Sequence, residues 1–258
     1  MSHTSSLPEP PAIREGHTVK PGEWEALLYD WHNHHRLHNQ RRDIAYWLEV
    51  IEPVGRTLVL GAGTGRVAVP LARRPGARVT AVDLSGDRLA RIPHVPGLSP
   101  VCGDMRRLPL RDYHESALMP YSTFQLLLTA GDRQRALGET ARVVAPGGCV
   151  HIDVSGNFDT RTESGWRLGL AEPCPAVGGA RVEEWERHRP MPDHVLIEKV
   201  FRQGERVLAR VEERWAHHGK LEIEKALDRA GFDLLRVDRG YGEGSSPHRF
   251  VYHARRRG

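Results

Sequence analysis

The chain has 258 residues, 39% of them hydrophobic, with 37 Lys and Arg against 33 Asp and Glu and a formal net charge of +4. That length suits one elaborated domain with an ample core, and no apolar run approaches the roughly 18 residues that a membrane-spanning helix needs. Basic and acidic residues alternate, as in Glu183-Glu184-Trp185-Glu186-Arg187 and Glu212-Glu213-Arg214. The one basic block, Arg255-Arg256-Arg257, is terminal, which disfavours a nucleic-acid-binding face.

Residues 1–20 open with a Pro- and Ser-rich stretch that lacks the charged and apolar regions of a secretory signal. They read as a disordered tail, with the cytoplasm as the default location. Residues 21–50 read as a helical cap, in which Trp24, Leu27, Leu28 and Trp31 recur at helical spacing and are expected to pack on the core. The same segment carries Tyr29 and then His32, His34, His35 and His38. His34 and His38 stand at i,i+4, but no acidic third ligand is in frame, so no metal site is expected. Cys102, Cys149 and Cys174 are too widely spaced for a disulfide framework or a zinc knuckle, and the strand contexts of Cys102 and Cys149 predict buried thiols.

The apolar run Thr57-Leu58-Val59-Leu60 enters the turn Gly61-Ala62-Gly63-Thr64-Gly65-Arg66 and is followed by Ala81-Val82-Asp83-Leu84-Ser85. Strand, glycine turn, helix and a carboxylate ending the next strand is the layout of a nucleoside cofactor site. A dinucleotide site wants a small residue at position 66, which here is arginine; the spacing is Gly61-x-Gly63-x-Gly65 instead. Pro70 should kink the helix that follows. Next come Val101-Cys102-Gly103-Asp104-Met105-Arg106 and Leu118-Met119-Pro120-Tyr121-Ser122. A helix over 133–144 is then expected, capped by Asp132, ended by Pro146-Gly147-Gly148 and followed by a strand to 154. Beyond an irregular stretch around Trp166, alternation predicts antiparallel strands at about 181–189, 194–202 and 206–216. A helix over 221–230 stopped by Gly231 and strands at 234–237 and 249–254 complete the chain.

These motifs, in this order over about residues 55–154, resemble those of the class I S-adenosylmethionine-dependent methyltransferases. The resemblance implies an α/β fold: a Rossmann-like, doubly wound, mostly parallel seven-stranded sheet with N-terminal helices and an inserted antiparallel β lid. It divides the chain into a tail (1–20), a helical cap (21–50), the cofactor-binding core (51–154), a lid over an acceptor pocket (155–218) and a last helix and strands (219–258). It also implies S-adenosyl-L-methionine as cofactor and S-adenosyl-L-homocysteine as product. Gly61, Ala62, Gly63 and Gly65 would pass beneath the methionine and ribose portions. Asp83 would accept from the ribose hydroxyls, a role suited to an acceptor-only carboxylate. Leu84 would lie on the adenine, Asp104 would accept from its amino group and the Met105 backbone would reach its ring. Met119 would border the reactive centre, and Tyr29 would reach the cofactor's carboxylate. Val59 stands where the family usually carries an acidic residue bracing the loop.

Methyl transfer requires an acceptor held in line, about 3 Å from the methyl carbon, and a base where the acceptor must lose a proton. Histidine, with an unperturbed pKa near 6.5, is the natural supplier. His32 and His35 on the N-terminal helix are the candidates, with Tyr121 after the fourth strand as a further catalytic group. Trp166, Trp185 and Tyr241 are expected to line the acceptor pocket, and His151 to be a core histidine. The lid-like insertion and the lack of a basic cleft favour a small-molecule acceptor methylated on O or N. All but four of the 37 basic residues are arginine, a bias associated with GC-rich bacterial genomes and their secondary metabolism. Two alternatives stay open: a cofactor-binding protein without methyl transfer, suggested by Val59, and an RNA methyltransferase using Arg255 to Arg257. A homodimer is compatible with all of these readings.

Overall fold

The computed structural model describes residues 21–36, 42–111, 113–156, 163–242 and 248–258. The expected tail and His38 lie outside the described residues. The chain forms two compact units, residues 1–38 with 159–215 and residues 39–158 with 216–258. The 21–50 segment thus divides, with α1 (Pro21–Arg36) in the first unit and α2 (Arg42–Val50) in the second.

In the second unit the chain runs through β1 (Gly55–Leu60), α3 (Ala68–Ala72), β2 (Ala77–Asp83), α4 (Gly86–Leu89), β3 (Leu98–Cys102), β4 (His114–Met119), α5 (Ala130–Val143) and β5 (Val144–Ser155). It leaves for β6 (Arg167–Pro173), β7 (Arg181–Pro190), β8 (His194–Gln203) and β9 (Arg206–Ala216), then returns with α6 (Lys220–Arg229), β10 (Phe232–Arg239) and β11 (Arg249–Arg256). The seven-stranded sheet has the order β10-β11-β5-β4-β1-β2-β3. Strands β1 to β5 pair in parallel, β11 is antiparallel to β5, and β10 is antiparallel to β11. The order reverses between β1 and β4, and in open α/β sheets ligands bind at the carboxyl ends of such a switch point.

The central strands read as continuous apolar runs because both faces are covered. On one face Leu58, Leu60, Val82, Ala117 and Met119 pack with Leu137 of α5 and Ile223 of α6. On the other, Val59, Ala81 and Leu118 meet Trp47 of α2 and Leu71 of α3. Each large side chain so buried contributes about 1.5–3 kcal/mol.

Local expectations are corrected in four places. The cap of α5 is Thr129, whose side chain accepts from the Asp132 amide, so Asp132 belongs to the first turn. Pro70 is the third residue of the five-residue α3. A missing N–H is tolerated in a first turn, and α3 is too short to hold a kink between two helical segments. Pro146-Gly147-Gly148 lies inside β5 as an irregularity, with Gly147 at φ 79° and the β4 register shifting across it. Cys102 is exposed rather than buried, because it ends β3 at the open sheet edge. Gly231, at φ 86°, stops α6 as expected.

In the first unit, β6 to β9 form a four-stranded sheet in that order. The three expected strands are present, and β6 is an additional one. Its glycine and its register shift against β7 at Leu168/Leu170 hide the alternation that would have marked it. The apolar face of α1 is taken up by this sheet: Leu28 and Trp31 pack with Cys174, Val182, Phe201, Leu208 and Ala209, and Trp31 Nε1 donates to the Pro173 carbonyl at 2.9 Å. Among the described residues, no helix is long and apolar enough to cross a membrane.

Candidate active site

The glycine turn leaves the carboxyl end of β1 at the switch point. Gly61, Gly63 and Gly65 have φ of 66°, 56° and 86°, a left-handed run that only glycine adopts without strain. A Cβ on Gly61 would lie 2.4 Å from Thr123 Cγ2, and one on Gly65 would lie 3.0 Å from Val69 Cγ2. The Ala62 amide donates to the Val82 carbonyl at 3.0 Å, tying the turn to β2. Asp83 Oδ2 accepts from the Gly63 amide at 2.8 Å and Oδ1 from the Ser85 amide at 2.9 Å. A carboxylate offers about four acceptor sites, so Asp83 braces the turn and keeps lone pairs for a ligand. Val59 is fully buried among apolar side chains; an ionised group there would meet a large desolvation cost. The bracing role falls to Asp83.

Leu84 is 66% exposed at the same edge, an apolar side chain open to a flat apolar ligand. Cys102, the register partner of Asp83, has its Sγ 3.6 Å from the Leu84 carbonyl. Asp104 is held by the Arg106 guanidinium, with Nη2 2.6 Å from Oδ2. These hydrogen bonds, opposed by burial, hold its carboxyl below the usual range. Arg106 also reaches Asp132 at 3.0 Å. Met105 is half-buried against the core cluster. The Met119 side chain is wholly enclosed in that cluster, so only its backbone is placed to border a ligand.

Beyond β4 the chain turns sharply, with Tyr121 at φ 50° and Ser122 at φ 63°. Two successive non-glycine residues in this region cost on the order of 1–3 kcal/mol each and need support around them. Fully buried Asp153 of β5 supplies it. Its Oδ2 accepts from the Tyr121 amide at 2.7 Å and from the Tyr241 hydroxyl, its carbonyl accepts from the Ser122 amide at 3.2 Å, and its Oδ1 pairs with Arg249 Nη1 at 2.7 Å. Burial works against the Arg249 charge, but Asp153 outweighs it and raises the guanidinium's pKa. The Tyr121 ring lies between two guanidiniums, Arg249 at 4.8 Å and Arg66 at 5.2 Å from its centroid. Arg66 is anchored by Asp43 of α2 at 2.7 Å. The large residue after the third glycine is therefore a clamp. Tyr241, expected in the acceptor pocket, is instead buried with its phenol on Asp153.

In the first unit, His32 Nδ1 is hydrogen-bonded to the carboxylate of Glu184 on β7, which is wholly buried. A carboxylate only accepts, so Nδ1 carries a proton and donates it to Glu184, which leaves Nε2 as the ring atom not engaged by this pair. His35 lies edge-on to Trp31 with centroids 5.6 Å apart, and Tyr29 is half-buried on α1. Glu184 went unrecognised in the sequence, although it shares a strand face with buried Val182. Lys199 of β8, paired with Glu213 at 3.2 Å, lies among the same acids. Burial opposes its charge, but Glu213, Glu184 and Glu186 raise its pKa. Trp166 stacks under Arg187 at 4.8 Å, and Trp185 Nε1 donates to Glu183 at 2.9 Å. His151 is a buried core residue, its Nδ1 2.7 Å from His253 Nδ1.

Residues 58–148 match the family model described as a methyltransferase domain. A comparison with curated proteins finds no match. Among solved structures, the fold is similar to an S-adenosylmethionine-dependent methyltransferase from Clostridium acetobutylicum (TM-score 0.71, 16% identity, covering 91% of this chain and 99% of that one). It is also similar to Streptomyces venezuelae DesVI (0.69, 17%, 88% and 97%). A third is CalS10, an amino pentose methyltransferase from Micromonospora echinaspora (0.67, 19%, 94% and 99%). Residues 58–148 thus carry a methyltransferase-domain match, and the chain has the fold of the class I S-adenosylmethionine-dependent methyltransferases.

Proposed function

We propose that the protein is an S-adenosylmethionine-dependent methyltransferase that methylates nitrogen or oxygen of a small molecule. The observation that carries this reading is the braced glycine turn at the switch point: three left-handed glycines, with Asp83 holding the Gly63 amide. The turn fits the cofactor, since its three glycines hold a left-handed backbone with Gly61 and Gly65 packed close on Thr123 and Val69, Asp83 keeps acceptor capacity, and Leu84 is exposed beside it. Bound there, S-adenosylmethionine supplies an electrophilic methyl group on a sulfonium.

The chain's own contribution is then positioning and proton removal. The Arg66–Tyr121–Arg249 stack fixes the corner after β4, so that Tyr121 orients the acceptor. His32, its tautomer set by Glu184, takes the acceptor's proton on Nε2; His35 has no such carboxylate partner among the described contacts. Amine acceptors fit this pairing, because an ammonium must lose a proton before it can attack. CalS10 is an amino pentose methyltransferase, and another similar structure, KedS8, is a sugar N-methyltransferase, which supports an amino-sugar-like acceptor in secondary metabolism.

Two of the three terminal arginines on which the RNA reading rests are engaged within the chain. Arg256 donates to the Val144 carbonyl, and Arg257 pairs with Asp228 at 2.8 Å. The reading without methyl transfer loses its basis in Val59, since Asp83 braces the turn. Incubation with S-adenosylmethionine and a panel of amino sugars, small amines, phenols and RNA, followed by mass detection, tests the proposal. Methyl gain is expected on a small amine or hydroxyl; methylation of RNA alone, or of nothing while the cofactor binds, contradicts it.

A further inference from the structure

A cavity of about 520 Å³ opens at the amino ends of the core strands, the sheet edge opposite the glycine turn. Its floor is His114, almost wholly buried, with Nδ1 3.3 Å from the Val143 carbonyl and Nε2 3.1 Å from the Thr80 hydroxyl. A carbonyl only accepts, so Nδ1 donates to Val143.

The charge lies on the walls. Arg56 of β1, Arg78 of β2 and Arg111 before β4 all line the cavity, with Ser99 of β3 beside them. Arg56 and Arg78 are register partners in the parallel β1–β2 pair, so their side chains leave the same face of adjacent strands. Among the described residues, no carboxylate lines the cavity; Glu115 is turned to the Arg56 amide at 2.6 Å. Val79, Pro109 and Leu110 add an apolar wall. Gly97 lines the cavity in a close backbone approach to β2. Its φ is 81°, its carbonyl accepts from the Val79 amide at 2.7 Å, and a Cβ there would lie 2.5 Å from the Ala77 carbonyl oxygen.

We propose that this cavity binds a small anionic metabolite, with Arg56, Arg78 and Arg111 gripping its phosphate or carboxylate oxygens. Guanidiniums suit such groups because their donors form a planar fork that matches two oxygens at once. The volume is in the range of small-ligand sites and suits a ligand of mononucleotide size, one end charged and the other resting on Val79 and Leu110. The site is separate from methyl transfer and does not depend on that reading.

Calorimetry on the full chain at fixed ionic strength, with AMP, citrate and inorganic phosphate as probes, tests the proposal. One-site saturable binding of at least one probe is expected; AMP over citrate identifies a phosphate ester, citrate over AMP a polycarboxylate. Arg78 and Arg111 are exposed, so the double variant Arg78→Glu/Arg111→Glu should fold, keep its affinity for S-adenosylhomocysteine and bind the probe roughly tenfold or more weakly. Ser99→Trp, which narrows the mouth without changing charge, should weaken binding too. No saturable binding of any probe, equal binding by the double variant, or binding of an RNA oligonucleotide alone overturns the assignment.

Discussion

His32 Nδ1 is hydrogen-bonded to Glu184, a carboxylate with no exposure to solvent. Glu184→Gln offers the ring an amide that can donate as well as accept, which lets the proton settle on Nε2 and removes the base. His32→Ala should lower kcat by about 10²-fold or more and abolish the acid limb of the pH–rate profile. Glu184→Gln should lower kcat while KM changes little. His35→Ala should match the wild type, and an unchanged profile in the His32 variant removes the proposed base.

The corner at Tyr121 and Ser122 depends on Asp153. Asp153→Ala leaves Arg249 buried without its carboxylate and frees the Tyr121 amide and the Tyr241 hydroxyl. The loss of unfolding free energy should be about 3–5 kcal/mol, the range for breaking one side of a buried ion pair, as measured by urea denaturation. Tyr241→Phe, which removes one donor, should cost about 1–3 kcal/mol. Equal stability of both variants with the wild type would show that the corner stands without this support.

The buried histidines make stability depend on pH. Burial, with the neighbouring charge of His253 and Arg236, pushes His151 down to about 3. Burial and Arg236 push His253 down to about 4, against an opposing pull from Asp238. Tyr46 contacts the His253 ring as well. Both folded values lie below the unfolded value near 6.5, so the unfolded chain binds more protons below neutrality. Stability should be full above about pH 6.5 and fall as the pH drops toward the folded values of about 3 and 4. Thermal unfolding from pH 7.5 to about 4 should show this decline, and His151→Leu/His253→Leu should flatten it. A wild-type curve with no slope over that window contradicts the assignment.

Cys102 is the exposed thiol among Cys102, Cys149 and Cys174, and it lies against the Leu84 carbonyl. Iodoacetamide should modify it first, and saturating S-adenosylhomocysteine should slow the reaction if the adenine covers Leu84. Peptide mass analysis reads both; an undiminished rate at Cys102 moves the adenine elsewhere.

Groups whose positions depend on neighbours in sequence were legible, and those set by partners distant in the chain were not. The glycine turn and Asp83 followed from spacing and apolar runs, and the seven-stranded sheet from the family resemblance that those motifs carry. Asp153 and Arg249 are 96 residues apart, and His32 and Glu184 are 152 apart, so no local pattern joins them. Met119 was read from its place in a motif, but strand alternation puts its side chain in the core. The clamping role of Arg66 has no local signature because its partners, Asp43 and Tyr121, lie on separate elements.

The central claim is that the turn beside Asp83 holds S-adenosylmethionine. Calorimetry of the wild type and of Asp83→Ala, with folding checked by circular dichroism, is the direct measurement. The wild type should bind one equivalent, and the alanine variant, lacking acceptors for the ribose and for the Gly63 amide, should bind at least about tenfold more weakly. Equal affinity in the two proteins would contradict the assignment of Asp83, and no binding by the wild type would contradict the cofactor itself.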